Sequence, residues 1–231
     1  APLRPDVIAD AMARWPGNIR ELYGLTEGGI STSLDCATHP DKWSSVGVPT
    51  EGAEVRVINE DGHELPKGEI GELVGRAISM MRGYVNRPEQ TREIVWESPE
   101  GDVFYRSGDM GRIDEEGFIH ILDRRKDMII SGGFNIYAVD LEKALLAHPA
   151  VDDVAVIGVP SEQWGETPLG LIVLKPGHKE SGPAILEWAN EKLGKSQRIS
   201  AIEFRDELPR STIGKILKRE LREPYWQATP H

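Results

Sequence analysis

Residues 105–136, YRSGDMGRIDEEGFIHILDRRKDMIISGGFNI, decide how this chain is read. Gly108-Asp109 reads as a tight turn, because glycine admits backbone conformations that other residues resist. Asp114-Glu115-Glu116-Gly117 reads as a hairpin turn. Asp123-Arg124-Arg125-Lys126-Asp127 interrupts two apolar, β-branched runs and is too charged to enter a core. An exposed Asp109 on one turn and Arg124 on the next could together grip a polar ligand such as a ribose. One planar carboxylate can accept from two hydroxyls at once.

The pattern changes across residues 124–127. Upstream, apolar spacing predicts a helix over 5–15, ended by Pro16-Gly17, and a strand over 18–23. Strands follow over 53–58, 69–76, 104–106 and 118–122, with a short proline-entered helix over 88–95. Downstream, strands over 128–130, 151–159, 169–174 and 202–204 alternate with helices over 139–147, 183–193 and a basic helix over 214–222. The expectation is an α+β protein: a β-rich portion over 1–125 and a small α+β domain over 126–231.

Composition excludes several classes. A chain of 231 residues, 39% hydrophobic and 28% charged, is globular in type. The formal net charge of −11 argues against non-specific nucleic-acid binding, which needs a positive footprint. Cys36 is the single cysteine, so neither an intrachain disulfide nor a cysteine-rich zinc site is available. The six histidines show no metal-ligand spacing. His39 lies near Cys36 in a loop-like stretch, and that pair reads as incidental. No run approaches the ~20 apolar residues of a membrane span. The first residues lack the apolar stretch of a signal peptide, so a cytoplasmic location is expected. Self-association is left open.

Three further segments make the reading specific: Tyr23-Gly24-Leu25-Thr26-Glu27, the stretch from Gly71-Glu72-Leu73 to Gly83-Tyr84, and Pro209-Arg210-Ser211-Thr212-Ile213-Gly214-Lys215. In this order and spacing they resemble the adenylate-forming superfamily. Its members include acyl-CoA synthetases, adenylation domains of peptide synthetases, and beetle luciferases. DRRKDMIISGGFNIY is most similar to the acyl-CoA synthetase (fatty-acid–CoA ligase) subgroup. The resemblance implies that residues 1–125 continue the large adenylate-binding domain and that residues 126–231 form the small mobile one. It also implies two-step chemistry using ATP, Mg²⁺ and coenzyme A on a carboxylic acid, with AMP leaving in the second step.

Site roles follow from the same resemblance. Lys215 would bridge the substrate carboxylate and the phosphate, where a compact cation suits a shared anionic centre. Read without the resemblance, it is a helix-start lysine on a solvated basic face. Thr26 would contact the α-phosphate, Glu27 would help hold Mg²⁺, and Tyr23-Gly24 would pack on the adenine. Asp109 would hold the ribose, with Arg124 as a second ribose or phosphate contact. Lys126 would be the hinge about which the small domain turns between half-reactions. Gly133 would line the pantetheine arm of coenzyme A, with Trp164 as a further contact or a packing residue. Glu72 and Arg76 read as structural.

Some features depart from the family pattern. Ser107 stands where threonine is frequent, and Asp123 where glycine is. The segment ending in Gly214-Lys215 is no Walker loop, since Pro209 and Ile216 occupy positions that need glycine and a hydroxyl. The family's Ser/Thr/Gly-rich phosphate loop is not found in these residues. The chain is therefore expected to be the C-terminal portion of a longer ligase, inactive alone. Alternatives are an enzyme that charges a separate carrier protein and a non-catalytic module.

Overall fold

A computed structural model describes residues 3–212 and 214–227. The chain divides into two compact units, Ala1–Arg125 and Lys126–His231. The architecture is α+β, as expected.

In the first unit, helix α1 (Pro5–Arg14) buries Ile8 against Leu34, Cys36 and Phe118. Three short strands, β1 (Arg20–Gly24), β2 (Ser31–Asp35) and β3 (Val48–Pro49), form an antiparallel sheet in that order. A second antiparallel sheet contains β4 (Ala53–Ile58), β5 (Gly71–Ala77), β6 (Val95–Glu97), β7 (Val103–Ile113) and β8 (Ile119–Arg124). Its order is β4-β5-β7-β6, with β8 also paired to β7. Helix α2 (Pro88–Glu93) precedes β6.

The turn expected at Gly108-Asp109 is not a turn. Both residues lie inside β7, and the β5–β7 register slips between Glu72/Met110 and Val74/Arg106. The intervening residues bulge, with Gly108 at φ +70°. The glycine signal was right about the backbone and wrong about the topology. A positive-φ residue serves a bulge as well as a turn, and only sheet pairing distinguishes them. The second turn is a hairpin as predicted: Asp114 Oδ1 accepts from the amides of Glu116 (3.1 Å) and Phe118 (2.8 Å).

In the second unit, β9 (Ile129–Ser131) and β10 (Phe134–Ile136) form a hairpin, followed by α3 (Ala138–Leu146). Two long antiparallel strands, β11 (Val151–Ser161) and β12 (Gly165–Leu174), make the centre. Then come α4 (Gly182–Asn190), β13 (Ala201–Phe204), which pairs parallel to β12, and α5 (Lys218–Gln227). Strand β11 is apolar on both faces because both are covered. Val154 and Val156 pack with Leu141, Leu145 and Ile185 of α3 and α4, whereas Ala155 and Ile157 pack with Leu208 and with Leu221 of α5.

The basic helix expected over 214–222 begins later, at Lys218, and runs past Pro224. Gly214 has φ +79°, and Arg210 bridges to Ile216 across an antiparallel pair, so Lys215 lies in a loop. Tertiary contacts carry the helix beyond the proline: Trp226 Nε1 donates to the Gly158 carbonyl at 3.1 Å, and Tyr225 Oη donates to Glu203 at 2.7 Å. Among the described residues, no helix is long and apolar enough to cross a membrane.

Asp114 closes the β7–β8 hairpin and also takes Lys42 and His120 on Oδ2, each at 3.1 Å. Burial raises its pKa, but the His120, Phe118 and Lys42 contacts outweigh this and hold the carboxyl below its ordinary value. Asp114→Ala is expected to lose about 2 kcal/mol of stability at neutral pH, measured by urea unfolding. A folded pKa lowered from about 3.9 means that the contribution is present above that pH and fades below it. The gap between parent and variant therefore narrows as the solution is acidified.

Candidate active site

Three residues distant in sequence meet in the first unit. Tyr23 lies near the end of β1, Asp109 lies in the β7 bulge, and Arg124 is the Cα partner of Asp109 across the β7–β8 ladder. The Tyr23 hydroxyl donates to Asp109 Oδ2 at 2.6 Å, and Arg124 Nε lies 3.6 Å from Oδ1. Asp109 is not the exposed carboxylate expected of a turn: its side chain is 13% exposed. Burial, then the adjacent Asp109 carboxylate, pushes the Tyr23 phenol above its ordinary pKa, so it stays a donor. Oδ2 accepts from Tyr23 and Oδ1 faces Arg124 at ion-pair distance, and both oxygens keep acceptor capacity for a further donor pair.

The bulge that presents Asp109 is tied from behind. Ser107 Oγ donates to the Leu73 carbonyl (2.7 Å) and accepts from the Asp109 amide (2.9 Å). Glu72, with a side chain 8% exposed, takes Arg106 Nη1 at 2.8 Å, the Gly108 amide at 3.3 Å and Arg125 Nη1 at 3.3 Å. Sequence reading treated Glu72 as a structural strand residue. The one available signal was an acidic residue in a run otherwise apolar, GELVG.

Thr26 and Glu27 lie in the β1–β2 hairpin loop, closed by the Gly28 amide on the Leu25 carbonyl at 3.0 Å. Thr26 is exposed and Glu27 half-buried. The segment at 79–84 braces this loop. The Met81 amide donates to the Glu27 carbonyl (3.0 Å), Ser79 Oγ to the Gly28 carbonyl (3.1 Å), and Tyr84 Oη to Glu27 Oε1 (2.6 Å). The hydrogen bond to Glu27, more than burial, raises the Tyr84 pKa. Sequence reading did not pair Tyr84 with Glu27, since they lie in different motifs. Among the described residues no cluster of three or more His, Cys, Asp or Glu could hold a metal. A single carboxylate is compatible with magnesium, which characteristically uses one or two of them with phosphate oxygens and water.

In the second unit, Gly132 and Gly133 form the two-residue loop between β9 and β10, both at positive φ (+58° and +82°). They differ in their surroundings. A Cβ on Gly132 would meet the Trp164 ring at 2.8 Å, whereas one on Gly133 would meet nothing within 4 Å. Trp164 is 51% exposed, so one side packs on the loop and the rest faces solvent. Lys215 is exposed, and its amide and carbonyl are both held by Ser211 (3.2 Å to Oγ, 2.8 Å from the amide). Arg210 fastens the loop to the Gly214 carbonyl at 2.7 Å. Among the described residues the Lys215 ammonium forms no ion pair. Ile213 of the same motif lies outside the described residues. Lys126 sits in a single 3₁₀ turn, Arg125–Asp127, at the start of the second unit.

The sequence matches two family models: AMP-binding enzyme over residues 1–85 and AMP-binding enzyme C-terminal domain over residues 140–215. It is 38% identical to 4-coumarate–CoA ligase-like 9 of Oryza sativa subsp. japonica, covering 97% of this chain and 41% of that protein. It is 36% identical to a long-chain-fatty-acid–CoA ligase of Escherichia coli, covering 94% and 38% respectively. Among solved structures, ATP-bound MatB from Rhodopseudomonas palustris superposes with a TM-score of 0.85 at 34% identity, covering 97% of this chain and 44% of that one. The chain thus spans about two fifths of the length of the curated relatives it matches.

Gly28 is the tightest point of the braced loop: at φ +78°, a Cβ there would stand 2.1 Å from the Ser79 carbonyl oxygen. Gly28→Ala should therefore cost about 3 kcal/mol or more, by strain and backbone displacement together. Thermal unfolding checks this, with Gly133→Ala as the control expected to lose only the cost of positive φ, about 1 kcal/mol.

Proposed function

The chain belongs to the adenylate-forming superfamily, and from that premise we propose that it serves an ATP-dependent acid–thiol ligase acting through an acyl-adenylate. The observation that carries the proposal is the Tyr23–Asp109–Arg124 arrangement, a braced carboxylate able to accept both ribose hydroxyls. In the first step a substrate carboxylate oxygen attacks the α-phosphorus of ATP and pyrophosphate leaves. In the second, the coenzyme A sulfur attacks the acyl carbon, the thiol proton is lost, and AMP leaves.

The first step brings an anion to a polyanion, so preorganised positive charge at the junction supplies most of the help. Lys215, on a loop pinned at its own amide and carbonyl, is our candidate for that charge. Thr26 would contact the α-phosphate, and Glu27, oriented by Tyr84, would help hold the metal. A bound Mg²⁺ would offset phosphate charge. Tyr23 and Gly24 lie against the adenine, while Gly133 leaves space for the pantetheine arm beside Trp164. Lys126 is the hinge between half-reactions.

For the acid we propose a medium- to long-chain fatty acid, supported by the resemblance to long-chain-fatty-acid–CoA ligases. The 4-coumarate ligase-like relative makes a phenylpropenoid acid the competing substrate class. Full-length protein assayed with palmitate, 4-coumarate, coenzyme A and a phosphopantetheinylated carrier separates these; thioester on the carrier alone would overturn the choice of thiol. For the chain itself, calorimetry with a non-hydrolysable acyl-adenylate mimic is decisive: Asp109→Ala should abolish binding.

In the full-length enzyme, Lys215→Ala is expected to slow pyrophosphate exchange by ~10²–10³-fold and transfer from pre-formed acyl-adenylate far less. Equal loss in both half-reactions would remove Lys215 from this role. Gly133→Leu should do the reverse, sparing exchange and blocking thioester formation, because its open surroundings let the fold accept the side chain.

A further inference from the structure

Arg125 and Lys126 are chain neighbours, yet each is held by its own unit. On the first unit's side, Arg125 Nη1 reaches Glu72 Oε2 at 3.3 Å. Glu72 is in turn fixed by Arg106 and by the Gly108 amide. On the second unit's side, Arg222 Nη1 donates to the Lys126 carbonyl at 3.0 Å. Arg222 follows Leu221, which is buried with Ala155, Ile157 and Leu169, so its backbone is anchored to the central strands. Two long side chains from sequence-distant elements thus converge on consecutive residues of a charged turn that has no buried residues.

We propose that Glu72 and Arg222 are positioning residues of the junction, clamping Arg125 to the first unit and the Lys126 carbonyl to the second. Rotation is then confined to the backbone torsions between the Arg125 Cα and the Lys126 carbonyl. This rests on the reading of Lys126 as the hinge of a two-step ligase and deepens it. A hinge gives two defined orientations only if the chain on each side moves with its own body; a slack turn would spread the swing over many torsions. Arg125 is the first unit's last residue, and the carboxylate that clamps it also accepts from Gly108, next to the proposed ribose carboxylate. The junction and the Asp109 bulge therefore share one buried anion, a link that neither motif shows by itself.

The test is amide hydrogen exchange on the 231-residue chain, read in a peptide spanning residues 124–130. Arg125→Met and Arg222→Met each remove a clamp while keeping an apolar stem. Each should accelerate exchange there about fivefold, as expected for losing one hydrogen bond that gates a local opening. Strand residues 154–157 should be unchanged, and Arg222→Lys should restore much of the protection. In the full-length ligase the same Met variants should change the ratio of thioester formation to pyrophosphate exchange, and Arg222→Lys should return it toward the parent value. Unchanged junction exchange in folded variants, or acceleration spread evenly over the unit, overturns the proposal. If a Met variant does not fold, Glu72→Gln tests the first clamp and Arg222→Gln the second by the same readout. Exchange is read without ligand, so it tests the clamps independently of acyl-adenylate binding, which tests the ligase reading.

Discussion

A buried carboxylate organises the first unit. Glu72 sits on β5 where the ladder to β7 slips, and a charge removed from water there is tolerated only if its lone pairs are filled. Arg106, Arg125 and the Gly108 amide fill them. The bulge is what brings the Gly108 amide within reach, and it turns Asp109 toward Tyr23. The β7–β8 hairpin then returns Arg124 opposite Asp109. Removing the Glu72 carboxylate would leave two arginines and an amide without their acceptor, so the geometry of the Tyr23–Asp109–Arg124 arrangement depends on an anion held behind it.

The braced loop at residues 25–28 follows the same logic with neutral groups. Glu27 is held at its carbonyl by Met81 and at its carboxylate by Tyr84, and Tyr105 Oη donates to the Met81 carbonyl at 2.9 Å. Gly28 admits the bracing segment because it has no Cβ. A side chain held in place before any ligand binds loses little freedom on binding, which is how preorganisation becomes affinity. The second unit works differently: its central strand β11 is covered on both faces, so its core is built away from the loops. Gly133 and Lys215 both project from such loops, which can be shaped by chemistry without disturbing the packing.

Much of this was legible from local sequence. The helix entered at Pro5, the strand at 53–58, the strand expected over 151–159 and found to run on to Ser161, and the charged junction at 124–127 follow from periodicity, proline and glycine placement, and charge. So does the hairpin at 114–117, where an aspartate accepting two amides ahead of a glycine is a local arrangement. Tyr23, Asp109 and Arg124 could be singled out because their motifs are short and ordered.

Tertiary structure decided what no short window contains. Gly108 allows a turn and a bulge equally, and only the partner strand determined which formed. Pro224 marks a helix end by local rules, yet the contacts of Tyr225 and Trp226 carry α5 past it. Gly132 and Gly133 are identical in sequence, but the Trp164 ring makes one a packing requirement and leaves the other open. Residue type and spacing determined which groups this chain carries. Which of them share a hydrogen bond was set by pairing between strands far apart in sequence, because register is a property of two strands together.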